Sequence, residues 1–295
     1  MPSKTVLSLC LATAVGLLPT PAAAEQKVEA RRSAAADALV EIENPAGSIH
    51  VIGWERGEVV VTGDLGTGAS GLDVTGSGSR IRVGVDTERN PHGVVSSLEV
   101  HVPAKSRLQI ESFAGSITVE GVSGTVSAET VNGSITISGQ AREIAAESVN
   151  GAVQVSGAST HTKAESVNGS VVVRGASGDL EASTVNGRLD VSGGSFERAH
   201  LETVSGSLSF EGGLASGATF EAETVSGSVT LALPASLAAD FSISTFSGSV
   251  ENALGPAAKS VSRYTSEKEL EFSTGGGGAS VSIHTLSGSI TLRKK

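Results

Sequence analysis

The chain has 295 residues, with 31 acidic against 21 basic side chains and a formal charge of −10. That balance excludes the basic patch that nucleic-acid binding requires. Aromatic residues make up only 3% of the chain, too few for a stacked platform that would seat sugar rings or bases.

Residues 1–24 read as a secretory signal peptide. Lys4 supplies a positive n-region, Val6 to Leu18 an apolar stretch too short to span a bilayer, and Ala22-Ala23-Ala24 a small-residue cleavage site. Cys10, the single cysteine, lies inside this segment and follows Leu9 rather than the small residue of a lipid-attachment site. The expected product is exported to the periplasm or the cell surface, with no disulfide and no integral membrane segment after cleavage. Residues 25–38 are rich in Ala, Glu and Arg and read as a flexible lead-in. Residues 39–109 hold strand-like runs of irregular length (Gly57 to Thr62, Arg80 to Val85, Val94 to Val102) separated by glycine clusters, and read as an N-terminal β cap.

From residue 110 to 254 the chain repeats. Eight tetrapeptides share the form aliphatic-or-Phe, Asn or Ser, Gly, then a small or polar residue, from Val131-Asn132-Gly133-Ser134 to Leu286-Ser287-Gly288-Ser289. Gly115, Gly133, Gly151, Gly169 and Gly187 are 18 residues apart, and the later steps are 19, 21 and 21 before one of 40. Degenerate copies stand at Ile110 to Ile117 and at Ile42 to Ile49. A fixed short period signifies a repeat architecture. Within each unit apolar residues alternate with polar ones, as at Ile135 and Ile137 or at Val126, Ala128 and Thr130, which is strand periodicity.

Two all-β architectures accommodate this pattern. One is a single-stranded β-solenoid with coils of about 18 residues, an N-terminal β cap and C-terminal capping strands. The other is an antiparallel hairpin-repeat sheet in which Asn-Gly is a two-residue turn. Near-identity of the units favours the solenoid, because stacking in register places each residue on its own counterpart. Asn132, Asn150, Asn168 and Asn186 would then form an amide ladder. Gly133, Gly151, Gly169 and Gly187 would line a corner, and Ala128, Ala146, Ala164 and Ala182 would stack inside. Nine units at roughly 4.8 Å each would make a rod of about 45 Å. Residues 255–295 break the period with Pro256, a charged strand-like stretch from Tyr264 to Phe272 and the run Gly275 to Gly278, then end in a last unit (Ser280 to Leu292) that leaves Arg293-Lys294-Lys295 at the open end.

The Asn/Ser-Gly-Ser-Ile/Val repeats, the segment Gly47-Ser48-Ile49-His50-Val51-Ile52-Gly53-Trp54 and the Gly-rich run leading to Leu286-Ser287-Gly288-Ser289-Ile290 together resemble the DUF4097 family, bacterial β-strand-repeat proteins to which an adhesin role is ascribed. The resemblance spans about residues 40–293. It implies an extracytoplasmic, solenoid-like repeat protein and brings no catalytic residue to carry over.

The most suggestive side-chain pattern is a carboxylate row. Glu111, Glu129, Glu147, Glu165, Glu202 and Glu223 each stand two residues before the tetrapeptide, with Ser183, Ser244 and His284 interrupting. By parity they face outward. A solvated acidic face is the plain reading, and Glu129, Glu147 and Glu165 are the candidate ligands should the row hold Ca²⁺ or Mg²⁺. No cofactor is expected. The six histidines, at positions 50, 92, 101, 161, 200 and 284, lack metal-ligand spacing. Trp54 and Tyr264 read as end-cap packing residues, and the serines as turn residues rather than nucleophiles. The function expected is non-enzymatic: an envelope protein presenting a surface for adhesion, scaffolding or binding of an unidentified protein or polysaccharide. The alternatives are a carbohydrate-active β-helix enzyme and an envelope-stress sensor or accessory protein.

Overall fold

The computed structural model describes residues 26–66, 68–87, 95–261 and 266–295. The signal-peptide residues with Cys10, as well as His92 and Tyr264, lie outside them. The protein is all-β, and among the described residues sixteen strands join in one mixed sheet. The N-terminal strands are β1 (Gln26–Trp54), β2 (Glu58–Leu65), β3 (Ala69–Thr87), β4 (Ser96–Pro103) and β5 (Arg107–Glu120). The body continues with β6 (Thr125–Thr130), β7 (Ile135–Ser138), β8 (Glu143–Ser148), β9 (Val153–Ser156), β10 (His161–Ser166), β11 (Val171–Arg174) and the long, bent β12 (Gly178–Leu233). The C-terminal strands are β13 (Ala239–Asn252), β14 (Lys259–Ser260), β15 (Lys268–Thr274) and β16 (Ala279–Lys294).

From β5 to the first two segments of β12 every pairing is parallel and every register step is 18 residues, the sequence period. Thr125–Thr130 lies on Arg107–Ser112, Glu143–Ser148 on Thr125–Thr130, His161–Ser166 on Glu143–Ser148, and Asp179–Thr184 on His161–Ser166. The second strand of each repeat makes its own parallel ladder, Ile117↔Ile135↔Val153↔Val171↔Leu189. The body is therefore a stack of levels and not a row of hairpins. Alternation decides which side chains enter the core. Val126, Ala128 and Thr130 are buried, as are Ile135 and Ile137 across the corner. Ala128, Ala146, Ala164 and Ala182 stack in register with no exposed area. Higher up, where the repeats lengthen, Phe196, Phe210 and Phe220 fill the widened interior, with successive ring centroids 5.6 and 4.8 Å apart.

The corner between the two strands explains the invariant glycine. A Cβ on Gly133 would overlap the carbonyl oxygen of Gly115, one on Gly151 that of Gly133, one on Gly169 that of Gly151 and one on Gly187 that of Gly169. The column continues through Gly206, Gly227, Gly288 and Gly248. None of these has a positive φ, so glycine is required for close approach, not for the left-handed conformation that an Asn-Gly hairpin turn would need. A separate column, Gly121, Gly139, Gly157, Gly175, does have positive φ (69°, 134°, 122° and 78°) and turns each level back toward the next.

At both ends the chain departs from sequence order. The second half of β1 (Leu39 to Trp54) sits between β3/β4 on one side and β5 on the other, all parallel. The upstream copy Ile42 to Ile49 thus stacks on Ile110 to Ile117 residue for residue and belongs to the ladder, not to a separate cap. Residues 26–33, expected as a flexible lead-in, instead form an antiparallel ladder with β2, which is in turn antiparallel to β4. Trp54 packs on His101 at 4.8 Å and donates its indole N–H to the Glu58 carbonyl at 2.9 Å, at this end of the stack. At the other end β16 inserts between the last level of β12 and β13, parallel to both. Arg293, Lys294 and Lys295 are therefore not at the open end: Lys295 N–H bonds the Leu233 carbonyl, and its ammonium lies 3.2 Å from Glu211. The antiparallel strand β15 covers β13 instead, with Phe272 stacked on Phe241 at 4.5 Å. Gly275 to Gly278 make the connection from β15 to β16, and three of them have φ between 60° and 86°.

Gly151→Ala should destabilise the protein by roughly 3 kcal/mol or more, because its methyl group meets immovable backbone. Gly84→Ala, which meets nothing within 4 Å and has no positive φ, should change stability by less than about 1 kcal/mol. Urea unfolding of the two variants measures the difference.

Candidate binding groove

The tetrapeptide corner carries four columns of side chains with distinct chemistry. Inside, Thr130, Ser148, Ser166 and Thr184 are buried, and their hydroxyls donate to the carbonyls of Gly115, Gly133, Gly151 and Gly169 at 2.9–3.2 Å. Each glycine carbonyl therefore points at the next glycine and accepts a hydrogen bond beside it. Outside, Asn150 donates to Asn132, Asn168 to Asn150 and Asn186 to Asn168, each at 3.0 Å. Where the tetrapeptide changes from Asn-Gly to Ser-Gly, at Ser205, Ser226, Ser247 and Ser287, the amide ladder ends. In these levels the buried hydroxyls of Thr203, Thr224, Thr245 and Thr285 have no partner among the described residues.

The remaining two columns face solvent. One is the carboxylate row: Glu43, Glu111, Glu129, Glu147 and Glu165 stack in register, followed by Ser183. The other is the first residue of each tetrapeptide. Phe113, Val149, Val167, Val185, Val204, Val225, Leu286 and Phe246 are all exposed, Phe113 at 64% and Phe246 at 59%. Val131 is partly exposed in the same column. Parity was sufficient to find this apolar stripe: Val131 shares the outward phase of Ser127 and Glu129, so an aliphatic residue there cannot be core. The two columns form the walls of an open groove of about 660 Å³ lined from Glu43 and Pro45 to Ser183 and Val185. A shorter groove of about 300 Å³ continues the same corner past Glu202, Glu223, Val225, His284 and Leu286.

The charges in the row are not equivalent. Glu43 pairs with Arg82 at 2.7 Å. Lys163 reaches Glu147 at 2.7 Å and Glu165 at 3.1 Å. Its ammonium is held well above the ordinary lysine range, first by the hydrogen bond to Glu147 and then by Glu165, against the opposing effect of partial burial. Outside the groove, Arg198 holds Asp179 below the usual carboxylate range, and Arg80 does the same for Glu41. Among the described residues no three His, Cys, Asp or Glu side chains come together as a metal cluster. The row that includes Glu129, Glu147 and Glu165 is a line of carboxylates, two of them already shared with Lys163.

A hydroxyl, an imidazole and a carboxylate adjoin at His284. The Ser244 hydroxyl lies 2.8 Å from Nδ1 and the Ser282 hydroxyl 2.8 Å from Nε2, while Glu223 is the register neighbour. Both ring nitrogens meet hydroxyls, so no carboxylate orients the imidazole toward one nucleophile, which is what the serine-hydrolase arrangement needs. No helix among the described residues is long and apolar enough to cross a membrane.

Residues 96–293 match the family described as Toastrack DUF4097. The chain belongs to that family. No curated protein matches it. Among solved structures it is similar to a candidate cell adhesion protein from Clostridium sporogenes, at 10% identity over 92% of this chain and 100% of that one, with a TM-score of 0.24. A candidate adhesin from Bacteroides fragilis aligns at 10% identity over 94% of this chain and all of its own, with a TM-score of 0.40. A candidate lipid-binding protein from Parabacteroides distasonis aligns at 9% identity over 91% and 96%, with a TM-score of 0.33.

For this Toastrack chain, Asn150→Ala removes one amide that both donates and accepts in the ladder. It should lower stability by about 1 kcal/mol, read by urea unfolding, with Asn150→Ser intermediate. Lys163 should act in the alkaline range. A cation whose folded pKa is raised contributes its full stabilisation below the ordinary lysine value of 10.5 and loses it as pH climbs through the folded value. The stability gap between the wild type and Lys163→Met should hold from pH 6 to 9 and shrink above about 10.5, followed by denaturant unfolding at each pH.

Proposed function

We propose that this Toastrack chain is an exported, non-enzymatic protein of the cell envelope that uses the grooved corner as its binding surface. The observation that carries this reading is the apolar stripe. Nine successive levels expose an aliphatic or aromatic side chain at the same corner position, beginning at Phe113 and ending at Phe246. A lone exposed valine is ordinary, whereas a continuous apolar column rimmed by polar groups marks an interaction site. Because each level repeats the last, the surface suits an extended partner, protein or polysaccharide, that meets the same chemistry every 4.8 Å or so.

We further infer that the parallel ladders are successive coils of a single-stranded β-solenoid of about 18 residues per coil. The equal register steps and the unbroken glycine column support this. The export reading is supported by the sequence of residues 1–24.

Two measurements test the proposal. Fractionation with protease shaving of intact cells should find the mature chain outside the cytoplasm. Co-sedimentation with isolated envelopes should fall about tenfold in the triple variant Val131→Ser, Val149→Ser, Val167→Ser, whose circular dichroism should match the wild type. Equal sedimentation of the two proteins would remove the stripe as the binding surface.

A further inference from the structure

We infer that the groove between the carboxylate row and the apolar stripe takes an extended polypeptide whose side chains alternate between cationic and apolar. This deepens the reading of the corner as a binding surface and rests on it. The two walls differ in chemistry and run in parallel. At each level Glu and Val (or Phe) are separated by one buried residue on the same strand, about 6.6 Å apart along it. From Glu43 to Glu165 the groove extends over four register steps, roughly 19 Å, the length of about six extended residues. In an extended chain lying along that axis, successive side chains point to opposite walls. Cations would then meet the carboxylates and apolar residues would meet the stripe.

The protein itself shows how a cation fits. Lys163 places one ammonium between two successive carboxylates, 2.7 Å from Glu147 and 3.1 Å from Glu165. The next carboxylates along the row, Glu111 and Glu129, have no basic partner among the described residues. The positions equivalent to Lys163 at their levels are Gln109 and Ser127, both uncharged. Only Gln109 Nε2, at 3.2 Å, donates to Glu111. Two unneutralised carboxylates thus face Phe113 and Val131 across the groove. Charge complementarity calls for a cation from outside at these two levels, and the stripe beside them calls for an apolar neighbour on the same ligand. A simple polyamine would leave the apolar wall uncovered, and an anionic lipid surface or uronic-acid polymer would meet the carboxylates with like charge. Strands cross the groove with their backbone groups already paired in the ladders, so recognition runs through side chains and the affinity is modest.

The test is fluorescence anisotropy of a dye-labelled hexapeptide of alternating Lys and Val with the mature protein. The expected result is binding that weakens as salt rises from 50 to 500 mM. It should weaken about tenfold in the double variant Glu111→Gln, Glu129→Gln, since each exposed ion pair contributes roughly threefold. It should weaken by a similar factor in Val131→Ser, Val149→Ser, and with peptides of alternating Glu and Val or Lys and Ser. These substitutions are at the surface, and circular dichroism confirms that the fold persists. Unchanged binding in the double glutamine variant would overturn the proposal, as would equal binding of the Lys/Ser peptide. So would association of the stripe with phosphatidylglycerol vesicles in place of the peptide. Loss of envelope binding in the stripe variant with no peptide binding by the wild type would leave the corner as the binding surface and remove the cationic peptide as its ligand.

Discussion

The contact on which the fold depends is the approach of one glycine carbonyl to the Cα of the next. At every level from Gly115 upward, that oxygen occupies the space in which a side chain would stand. Two consequences follow. The corner cannot slip in register by one residue, because any neighbour of the glycine carries a Cβ that would collide with backbone. It also cannot open without exposing the carbonyl to which Thr130, Ser148, Ser166 or Thr184 donates. Strand register is usually set by burying one face of alternating residues. Here a steric key at the corner fixes it independently of the core, which tolerates Ala, Ile, Leu or Phe at equivalent depths.

Exact register has a cost that falls on the outward face. Each exposed side chain gains its own copy as a neighbour, so the chemistry of a column must be compatible with itself. Asparagine is self-complementary, each amide donating to one neighbour and accepting from the other, and the ladder from Asn132 to Asn186 uses both. Valine is self-compatible by dispersion. Glutamate is not: carboxylates one level apart repel by about 1 kcal/mol in water. The sequence relieves this at Glu43 with Arg82 and at Glu147 and Glu165 with Lys163, and leaves Glu111 and Glu129 unrelieved among the described residues. A stack that settles amides and methyl groups without help but leaves two carboxylates facing water presents a site that favours an added cation.

The period of 18, the alternation of Ile135 and Ile137 and the identical Ala column were enough to place the body of the fold, since each is a local property of the chain. The same alternation assigned Glu129 to the outward face. Applied one residue pair further, it assigns Val131 there as well, and the groove becomes legible from sequence. It was obscured because an aliphatic residue beside a turn reads as core, and only the count of residues from Ala128 shows otherwise. The order of levels at the ends was not legible. Nothing in Leu286-Ser287-Gly288-Ser289 distinguishes stacking above Phe246 from insertion between Val225 and Phe246, because a repeat compatible with every neighbour is compatible with either place. Residues 26–33 misled for a different reason. Composition rich in Ala and Arg describes a poor core segment, yet an antiparallel edge strand needs only backbone partners, which β2 supplies.

Antiparallel strands at the two ends of the stack cover part of its unpaired strand edges. A stack that ended on its last-synthesised level would expose a full parallel edge to any passing copy, and its repeats are self-complementary by construction. Instead, β16 is covered by β13, and β13 by the antiparallel β15, which carries Lys268, Glu269 and Glu271. At the opposite end the second half of β1 is covered by β3 and β4, β4 by β2, and β2 by the first residues of β1, among them Lys27, Glu29, Arg31 and Arg32. Reversal of strand direction matters as much as the charges. A parallel repeat of this chain presents its ladder groups with one slant and spacing, whereas an antiparallel edge presents them in alternating close and wide pairs. Another copy's level therefore cannot continue the ladder in register along Ala239–Thr245 or along Ser96–His101. These reversals cover the first half of β13 and β4, whereas the corner at Ser247–Asn252, beyond the reach of β15, is paired among the described residues only with β16.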